Sequence, residues 1–131
     1  MELSSKDGQI LQHIVRYCNQ IDTTIGFFHL TKDDFANNFF MQNALAMPIS
    51  QIGELVKKLT SDFRTIHSKI PWRAIAGMRD HLTHNYTNMD IDVTWEALTV
   101  DIPALNTYCK KILIENNLDL PEIDEIHLHE Y

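Results

Sequence analysis

In the stretch DGQILQHIVRYCNQIDTTIGFFH, residues 7–29, apolar side chains recur at steps of three and four positions. This is the period of an α-helix that buries one stripe of its surface. The sequence therefore predicts a long first helix that packs against other helices. The predicted stripe consists of Ile10, Ile14, Cys18, Ile21, Ile25 and Phe28.

A second long helix is predicted directly after the first. Thr31 followed by Asp34 is typical of a helix N-terminus, because the threonine hydroxyl can cap the first free backbone N–H groups. Pro48 falls inside the helical pattern and removes one backbone donor, so we expect a kink there or two helices meeting near Met47. The predicted apolar positions are Phe35, Phe39, Leu45, Ile49, Ile52, Val56 and Leu59.

Further helices are predicted in the second half of the chain. Residues 61–68 are expected to form a helical turn and a connector, and Pro71 suits the first turn of a helix that runs to about His84. Residues 85–92 are turn-like, and residues 93–100 indicate a short helix or turn. Asp101 is the expected cap of a last helix whose inner stripe is Leu105, Tyr108, Cys109, Ile112 and Leu113.

The chain as a whole is predicted to be all-α. It has no sustained strand alternation, no glycine-rich phosphate loop and no internal repeat. We expect an up-and-down bundle of four to five helices over residues 1–117, followed by an acidic C-terminal tail, residues 118–131, that is extended or disordered. The length of 131 residues fits one domain.

The composition of the chain indicates in which cellular compartment the protein is expected. No apolar run approaches the roughly 18 residues of a membrane span, and the N-terminus lacks the pattern of a secretory signal, so we expect a cytoplasmic protein without membrane contact. Cys18 and Cys109 are expected to be two buried small side chains rather than a disulfide or a metal site.

Charge is distributed unevenly along the chain. The net charge of -7 argues against a general polyanion binder. Residues 57–79 nevertheless hold six Lys and Arg residues against one acid, and the candidate RNA contacts among them are Arg64, Lys69 and Arg73. The tail has five acidic residues and no Lys or Arg, and it either makes the chain more soluble or competes with RNA for this basic segment.

The reactive side chains are concentrated in PWRAIAGMRDHLTHNYT, residues 71–87. Arg79 offers a planar donor fork that matches a phosphate, and His84 can exchange a proton near neutral pH. These groups suit RNA cleavage without a metal or cofactor: His84 would activate the ribose 2′-hydroxyl, and Arg79 would stabilise charge on phosphorus. DNA lacks that hydroxyl and would not be cleaved.

Helix geometry suggests how these groups cooperate. A step of five residues rotates about 140° around an α-helix, so Arg79 and His84 do not share one face. Asp80 and His84, four residues apart, do share one face, so Asp80 could orient the His84 imidazole. Two copies of the helix related by a two-fold axis would bring each Arg79 near the partner's His84, so we expect a homodimer.

The arrangement Arg79-x4-His84-x-Tyr86 resembles the signature of the HEPN superfamily, and its context resembles the HepT-like branch. The residue after the signature arginine is commonly Asn or another polar residue, whereas this chain has Asp80. The resemblance covers most of the chain, from about residue 7 to 114. Its context consists of Ile52-Gly53-Glu54, Phe63-Arg64, Ile70-Pro71-Trp72-Arg73-x-Ile75-x-Gly77-Met78-Arg79, Trp95 and Asp101-Ile102-Pro103-x-Leu105.

The resemblance implies a HEPN-like bundle that dimerises through the signature helices. It implies a metal-independent endoribonuclease toxin of a toxin–antitoxin pair, with Arg79 and His84 as the catalytic residues. The implied antitoxin is a small nucleotidyltransferase of the MntA type, which would attach AMP to Tyr86. The added charge and bulk would repel RNA.

Three other interpretations remain open. The segment could be a solvated helix face with local ion pairs, which is what spacing alone favours. It could be a non-catalytic module that binds a nucleotide or RNA, or docks a nucleotidyltransferase. A metal site at His81 and His84 is disfavoured, because Asp80 is the only acid nearby and no second ligand pair exists. Trp72 and Trp95 are expected in the core, and Glu54 is expected to pair with Lys57 or Lys58.

Overall fold

The computed structural model describes residues 2–84 and 90–128, except for the side chains of residues 79–84. Four of its helices span 13 or more residues, and the others are short. These described residues contain no β-strand. The helices are α1 Ser5–Phe27, α2 Lys32–Ala36, α3 Phe39–Lys58, α4 Ser61–Ile66, α5 Trp72–His84, α6 Ile91–Glu96, a π-helical segment Ala97–Asp101, and α7 Ile102–Glu115.

The four long helices build one core. α1 packs against both α3 and α7, and α3 also packs extensively against α5. α5 begins beside α4, which follows the end of α3, so α5 runs back along α3 in the opposite direction. The predicted all-α bundle is therefore confirmed. Its fully buried side chains include Leu11, Ile14, Ile21, Phe35, Leu45, Ile49, Ile52, Leu98, Ile102, Leu105 and Leu113.

α1 forms where the periodicity predicts it. The Ser4 hydroxyl caps the helix by accepting a hydrogen bond from the Asp7 backbone N–H at 3.0 Å. The predicted stripe is buried from Ile10 to Ile21, and Ile25 is partly buried. Phe28 lies beyond the end of the helix and is 37% exposed, because the helix ends one residue before it.

The division of the second helical region differs from the prediction. Thr31 and Asp34 form the expected capping box of α2. However, the helix is interrupted at residues 37–38. The Asn38 side chain caps a new helix there by accepting a hydrogen bond from the Met41 N–H at 3.1 Å. The expected division near Met47 is wrong, since α3 continues through that position.

Pro48 lies inside α3 without ending it. Proline removes the hydrogen bond to the carbonyl four residues earlier, and its ring also crowds that carbonyl. Burial of Pro48 against the core offsets that loss. Phe39, which was predicted in the inner stripe, is instead 77% exposed at the first position of α3.

The expected cap at Asp101 is also wrong. Its backbone is helical, and its side chain makes no capping hydrogen bond, because the π-helical segment runs directly into α7. The predicted inner stripe of α7 is confirmed: Leu105, Cys109, Ile112 and Leu113 are buried and Tyr108 packs against them.

The described part of the tail, residues 118–128, is non-helical and lies against α1. Gln12 donates to the Asp119 carbonyl at 3.0 Å, and Arg16 forms an ion pair with Asp124 at 3.1 Å. The Leu118 side chain approaches α1 so closely that a Cβ on Gly8 would lie 2.8 Å from its Cδ1. Glycine at position 8 therefore allows the tail to begin its path along α1.

Asp7 connects the start of α1 to the junction between α3 and α4. Its carboxylate is 3% exposed and accepts hydrogen bonds from Thr60, through the backbone N–H at 2.9 Å and the hydroxyl at 2.6 Å. Burial alone would raise the pKa of Asp7. The hydrogen bonds from Thr60 and Ser4 outweigh burial, so the pKa lies below its usual value of 3.8.

We predict that Asp7→Asn lowers the free energy of unfolding by about 1–3 kcal/mol near neutral pH, because a charge-assisted buried hydrogen bond is lost. A carboxyl group whose pKa is lowered by folding stabilises the protein above its unfolded pKa. That contribution disappears as the pH falls below about 4. Denaturant unfolding at neutral pH and at acid pH measures both effects.

Asp119→Asn, in the exposed tail, is the matched control and should change stability little. The difference between the two variants should shrink on acidification. Equal stability of Asp7→Asn and the wild type at neutral pH would contradict this role for the Asp7 carboxylate.

Candidate functional site

α5 contains the positions that sequence analysis singled out as catalytic. Its backbone is α-helical through His84, so Arg79, Asp80 and His84 lie on one continuous helix. Asp80 and His84 are about one turn apart on that helix. The side chains of these three residues lie outside the described part of the structure, as does all of Tyr86.

The start of α5 is fixed by Trp72. Its side chain is 5% exposed, and its ring lies 5.7 Å from that of Phe63 on α4. The indole N–H donates to the His67 carbonyl at 2.9 Å, so the polar edge of the ring is also satisfied. Ile75, one turn later, is buried in the core. The expectation that Trp72 anchors the core is confirmed.

His67 connects the junction between α4 and α5 to α7. Its Nδ1 lies 2.8 Å from the Tyr108 hydroxyl, and its ring packs against Phe63. Burial lowers the pKa of His67 below 6.5, although the charge of Glu115 partly opposes this. The imidazole is therefore mostly neutral at neutral pH. Sequence reasoning treated this segment as a simple connector, since the partner of His67 is 41 residues away.

Two of the three residues predicted to contact RNA lie close together at the junction between α4 and α5. Arg64 on α4 and Arg73 on α5 line one open groove of about 680 Å³. Lys69, in the turn between the helices, is exposed but does not line the groove. Sequence analysis grouped these residues by charge alone, whereas the turn between α4 and α5 is what brings the two arginines to one surface.

Arg64, which lines this groove, has one donor without a partner. Its Nε is buried and has no hydrogen-bond partner among the described residues. The Thr65 hydroxyl, next to it in the sequence, is already bonded to the Ser61 carbonyl at 2.9 Å. A buried N–H of a charged group without a partner costs free energy, so this side chain is held at some cost to stability.

A second, apolar cavity of about 370 Å³ adjoins this groove, and Pro71 and Ala74 line both. Its walls include Ala74, Gly77 and Met78 of α5, together with Val93 of α6. It offers few polar groups, so it suits packing against another apolar surface rather than proton transfer. Val93 is 58% exposed at its edge.

Other candidate chemistries find little support in the described residues. No group of three or more His, Cys, Asp or Glu side chains there could hold a metal ion. Cys18 and Cys109 are free and buried, as predicted, and burial raises the pKa of Cys109 to about 12. A raised pKa and burial both make these thiols poor nucleophiles near neutral pH. No helix in residues 2–84 or 90–128 is both long and apolar enough to cross a membrane.

Glu54 on α3 behaves as the sequence suggested. Its carboxylate lies 3.7 Å from the Lys57 ammonium, one helical turn away. Trp95 is only partly buried, and its ring packs 5.7 Å from that of Phe35, which joins α6 to α2. Both residues stabilise helix contacts.

Comparison with known proteins identifies the family. The family model described as "Ribonuclease HepT-like" matches residues 14–112. A protein of Caldanaerobacter subterraneus subsp. tengcongensis named "Putative RNase" is 38% identical over 104 residues, which are 79% of this chain and 90% of that protein. A "Probable ribonuclease HepT" of Thermococcus cleftensis is 38% identical over 61% of this chain and 73% of its own.

A third relative has an additional activity in its name. The Methanocaldococcus jannaschii protein named "Gamma-glutamylcyclotransferase and putative RNase" is 41% identical over 85 residues, which are 65% of this chain and 38% of that protein. No solved structure gave a significant match. The family model spans the bundle from α1 to α7, including the whole of α5. The chain therefore belongs to the ribonuclease HepT-like family, which confirms the enzyme class predicted from the sequence.

Proposed function

We propose that this protein is a metal-independent endoribonuclease in which Arg79 and His84 cleave RNA. The observation that carries the proposal is that both positions lie on one continuous helix, α5, of a chain in the ribonuclease HepT-like family. The basic groove at the start of the same helix, with Arg64 and Arg73, supports a polyanionic substrate.

The proposed reaction is an internal transesterification. His84 takes the proton of a ribose 2′-hydroxyl, and the 2′-oxygen attacks the adjacent phosphorus. Arg79 stabilises the charge that develops on the phosphoryl oxygens. The bond from phosphorus to the 5′-oxygen breaks, and that oxygen takes the proton from the His84 imidazolium, which restores the neutral imidazole. The products are a 2′,3′-cyclic phosphate and a 5′-hydroxyl end. Asp80, one turn before His84, positions the imidazole by accepting its other N–H.

The proposed unit of activity is a homodimer. Along α5, a step of five residues separates the two catalytic positions by about 140°, so one helix alone does not direct both groups at one phosphate. The apolar surface beside them supports pairing of two copies. Ala74 and Gly77 are exposed on α5, a Cβ at Gly77 would meet nothing within 4 Å, and Val93 is exposed nearby. Exposed apolar surface of this kind is typical of an interface.

We further propose that the enzyme is the toxin of a toxin–antitoxin pair. Its partner is a nucleotidyltransferase of the MntA type that transfers AMP to Tyr86. Tyr86 comes two residues after His84, so a phosphate placed there repels the RNA backbone from the catalytic groups. This part of the proposal rests on the resemblance of the signature, and co-expression with such a partner tests it through the mass of the peptide that contains Tyr86.

We predict that the purified protein cleaves RNA, but not DNA, in the presence of EDTA. His84→Ala should lower kcat by about 10²–10⁴-fold, because the general base is lost. Arg79→Ala should lower it by a comparable factor, because the transition-state charge is left without its donor. Gel-based cleavage rates measure both losses.

His127→Ala is the matched control, since His127 lies in the tail with its side chain 74% exposed. It should cleave RNA at the wild-type rate. Binding of RNA without cleavage, unaffected by His84→Ala, would instead identify a non-catalytic binding module. Cleavage that stopped in EDTA and returned with a divalent metal would contradict the mechanism.

We predict that mixing two inactive variants restores activity. If each site takes Arg79 from one subunit and His84 from the other, a mixed dimer of Arg79→Ala and His84→Ala contains one intact site. Equal mixing makes half of the dimers mixed, so about a quarter of the wild-type activity should return. Rates measured before and after subunit exchange test this. No recovery, despite exchange demonstrated by mass spectrometry, would contradict a shared site.

A charged substitution at the proposed interface tests the dimer itself, and the same substitution elsewhere is its control. Val93→Glu should dissociate the dimer and abolish this recovery, because burying an unpaired carboxylate is costly. Ile114→Glu introduces the same charge at a position that is 60% exposed on α7, and it should leave the dimer intact. Light scattering measures the mass of each variant.

A further inference from the structure

We propose that the groove between α4 and the start of α5 binds the phosphate backbone of the RNA strand at a distance of a few nucleotides from the cleaved bond. This inference rests on the proposed function, and it assigns the groove a separate task. The groove holds the flanking strand in place and reads no bases.

The charge in the groove is all of one sign. Arg64 and Arg73 enter from two different helices, and no acidic side chain of the described residues lines the groove. Asp62, close to Arg64 in the sequence, lines a separate cavity together with Asp7 and His67. The groove is therefore locally cationic in a chain whose net charge is -7. Local charge of this kind attracts a polyanion that the rest of the surface repels.

The donors in the groove lack acceptors of their own. The Nε of Arg64 is buried without a partner, and Arg73 is exposed and forms no ion pair with any described residue. Phosphate oxygens match the planar donor fork of arginine. The hydroxyl of Ser68 lines the same groove and can donate as well. A phosphate in the groove would supply acceptors to the exposed guanidinium of Arg73.

The apolar walls of the groove offer no groups for base recognition. Ile70 and Pro71 offer no polar side-chain atom, and the only N–H of the Trp72 ring is already bound to the His67 carbonyl. Contacts to phosphates position a nucleic acid without reading its sequence. The groove should therefore add affinity equally for every RNA sequence.

The helix sets the spacing between the groove and the catalytic positions. Arg73 precedes Arg79 by six residues on α5, which corresponds to a rise of about 9 Å along the helix and a separation of about 120° around it. A stacked strand, at about 3.4 Å per nucleotide, needs roughly three or more nucleotides to reach from one position to the other. A short RNA that covers only the cleaved bond would not reach the groove, whereas a longer one would.

Two RNA oligonucleotides test the proposal directly. One covers only the cleaved step, and the other extends by about five nucleotides in each direction, which is enough to reach the groove. Both carry 2′-O-methyl groups so that they bind without being cleaved. Arg64→Gln and Arg73→Gln should each weaken binding of the long RNA by about five- to tenfold, and change binding of the short RNA little. Each should also lower the slope of log Kd against log salt by about 0.7.

The control is Lys111→Gln, which removes a cation from an exposed site on α7. It should bind both RNAs like the wild type. Arg73 is exposed, so its substitution leaves the fold intact even if Arg64→Gln melts at a lower temperature. Equal losses on both RNAs, or no loss on the long RNA, would overturn the groove assignment while leaving cleavage by Arg79 and His84 standing.

Separate outcomes distinguish this inference from the proposed function. Wild-type protein that binds the long RNA through Arg64 and Arg73, but never cleaves the unmodified RNA, would support the groove and contradict the nuclease. Wild-type protein that binds neither RNA would overturn both. If Arg64→Gln and Arg73→Gln cleave the long RNA with a higher KM and an unchanged kcat, both the groove and the nuclease would be supported.

Discussion

The position of α5 depends on how its first residue, Trp72, is held. The indole ring is buried against Phe63, and its N–H donates to the His67 carbonyl at 2.9 Å. His67 is in turn joined to Tyr108 of α7. These contacts tie α4, α5 and α7 together at one corner, so the corner fixes where α5 starts. Every later position on α5, including Arg79 and His84, follows from that start because the helix is continuous.

This anchor also divides the surface of α5 by chemistry. Arg73, adjacent to the buried Trp72, points into solvent beside Arg64 and gives one side of the helix a cationic groove. Ala74, Gly77 and Met78 line the apolar cavity together with Val93, and Ala74 also borders the groove. One helix thus carries both the groove proposed to bind a polyanion and the apolar surface proposed to meet a second copy.

Much of the fold could be predicted from the sequence, because helical periodicity directly reports burial in α1, α3 and α7. Local cues were less reliable where they competed with neighbours. Pro48 failed to break α3, since a single missing hydrogen bond costs less than the packing around it gains, and Asn38 rather than Pro48 divided the helices. The His67–Tyr108 contact and the meeting of Arg64 with Arg73 were not predictable, because they depend on how distant segments turn toward each other.

The proposed mechanism is tested most directly by asking whether the attacking oxygen comes from the ribose 2′-hydroxyl. A mapped RNA substrate with a single 2′-deoxy substitution at the cleaved nucleotide, incubated in EDTA, tests it. The mechanism predicts that cleavage at that bond stops while other bonds are still cut, and that the unmodified substrate yields a 2′,3′-cyclic phosphate detectable by phosphorus NMR. Cleavage of the deoxy-substituted bond, or products with a 3′-hydroxyl and a 5′-phosphate, would contradict catalysis by Arg79 and His84 through the 2′-hydroxyl.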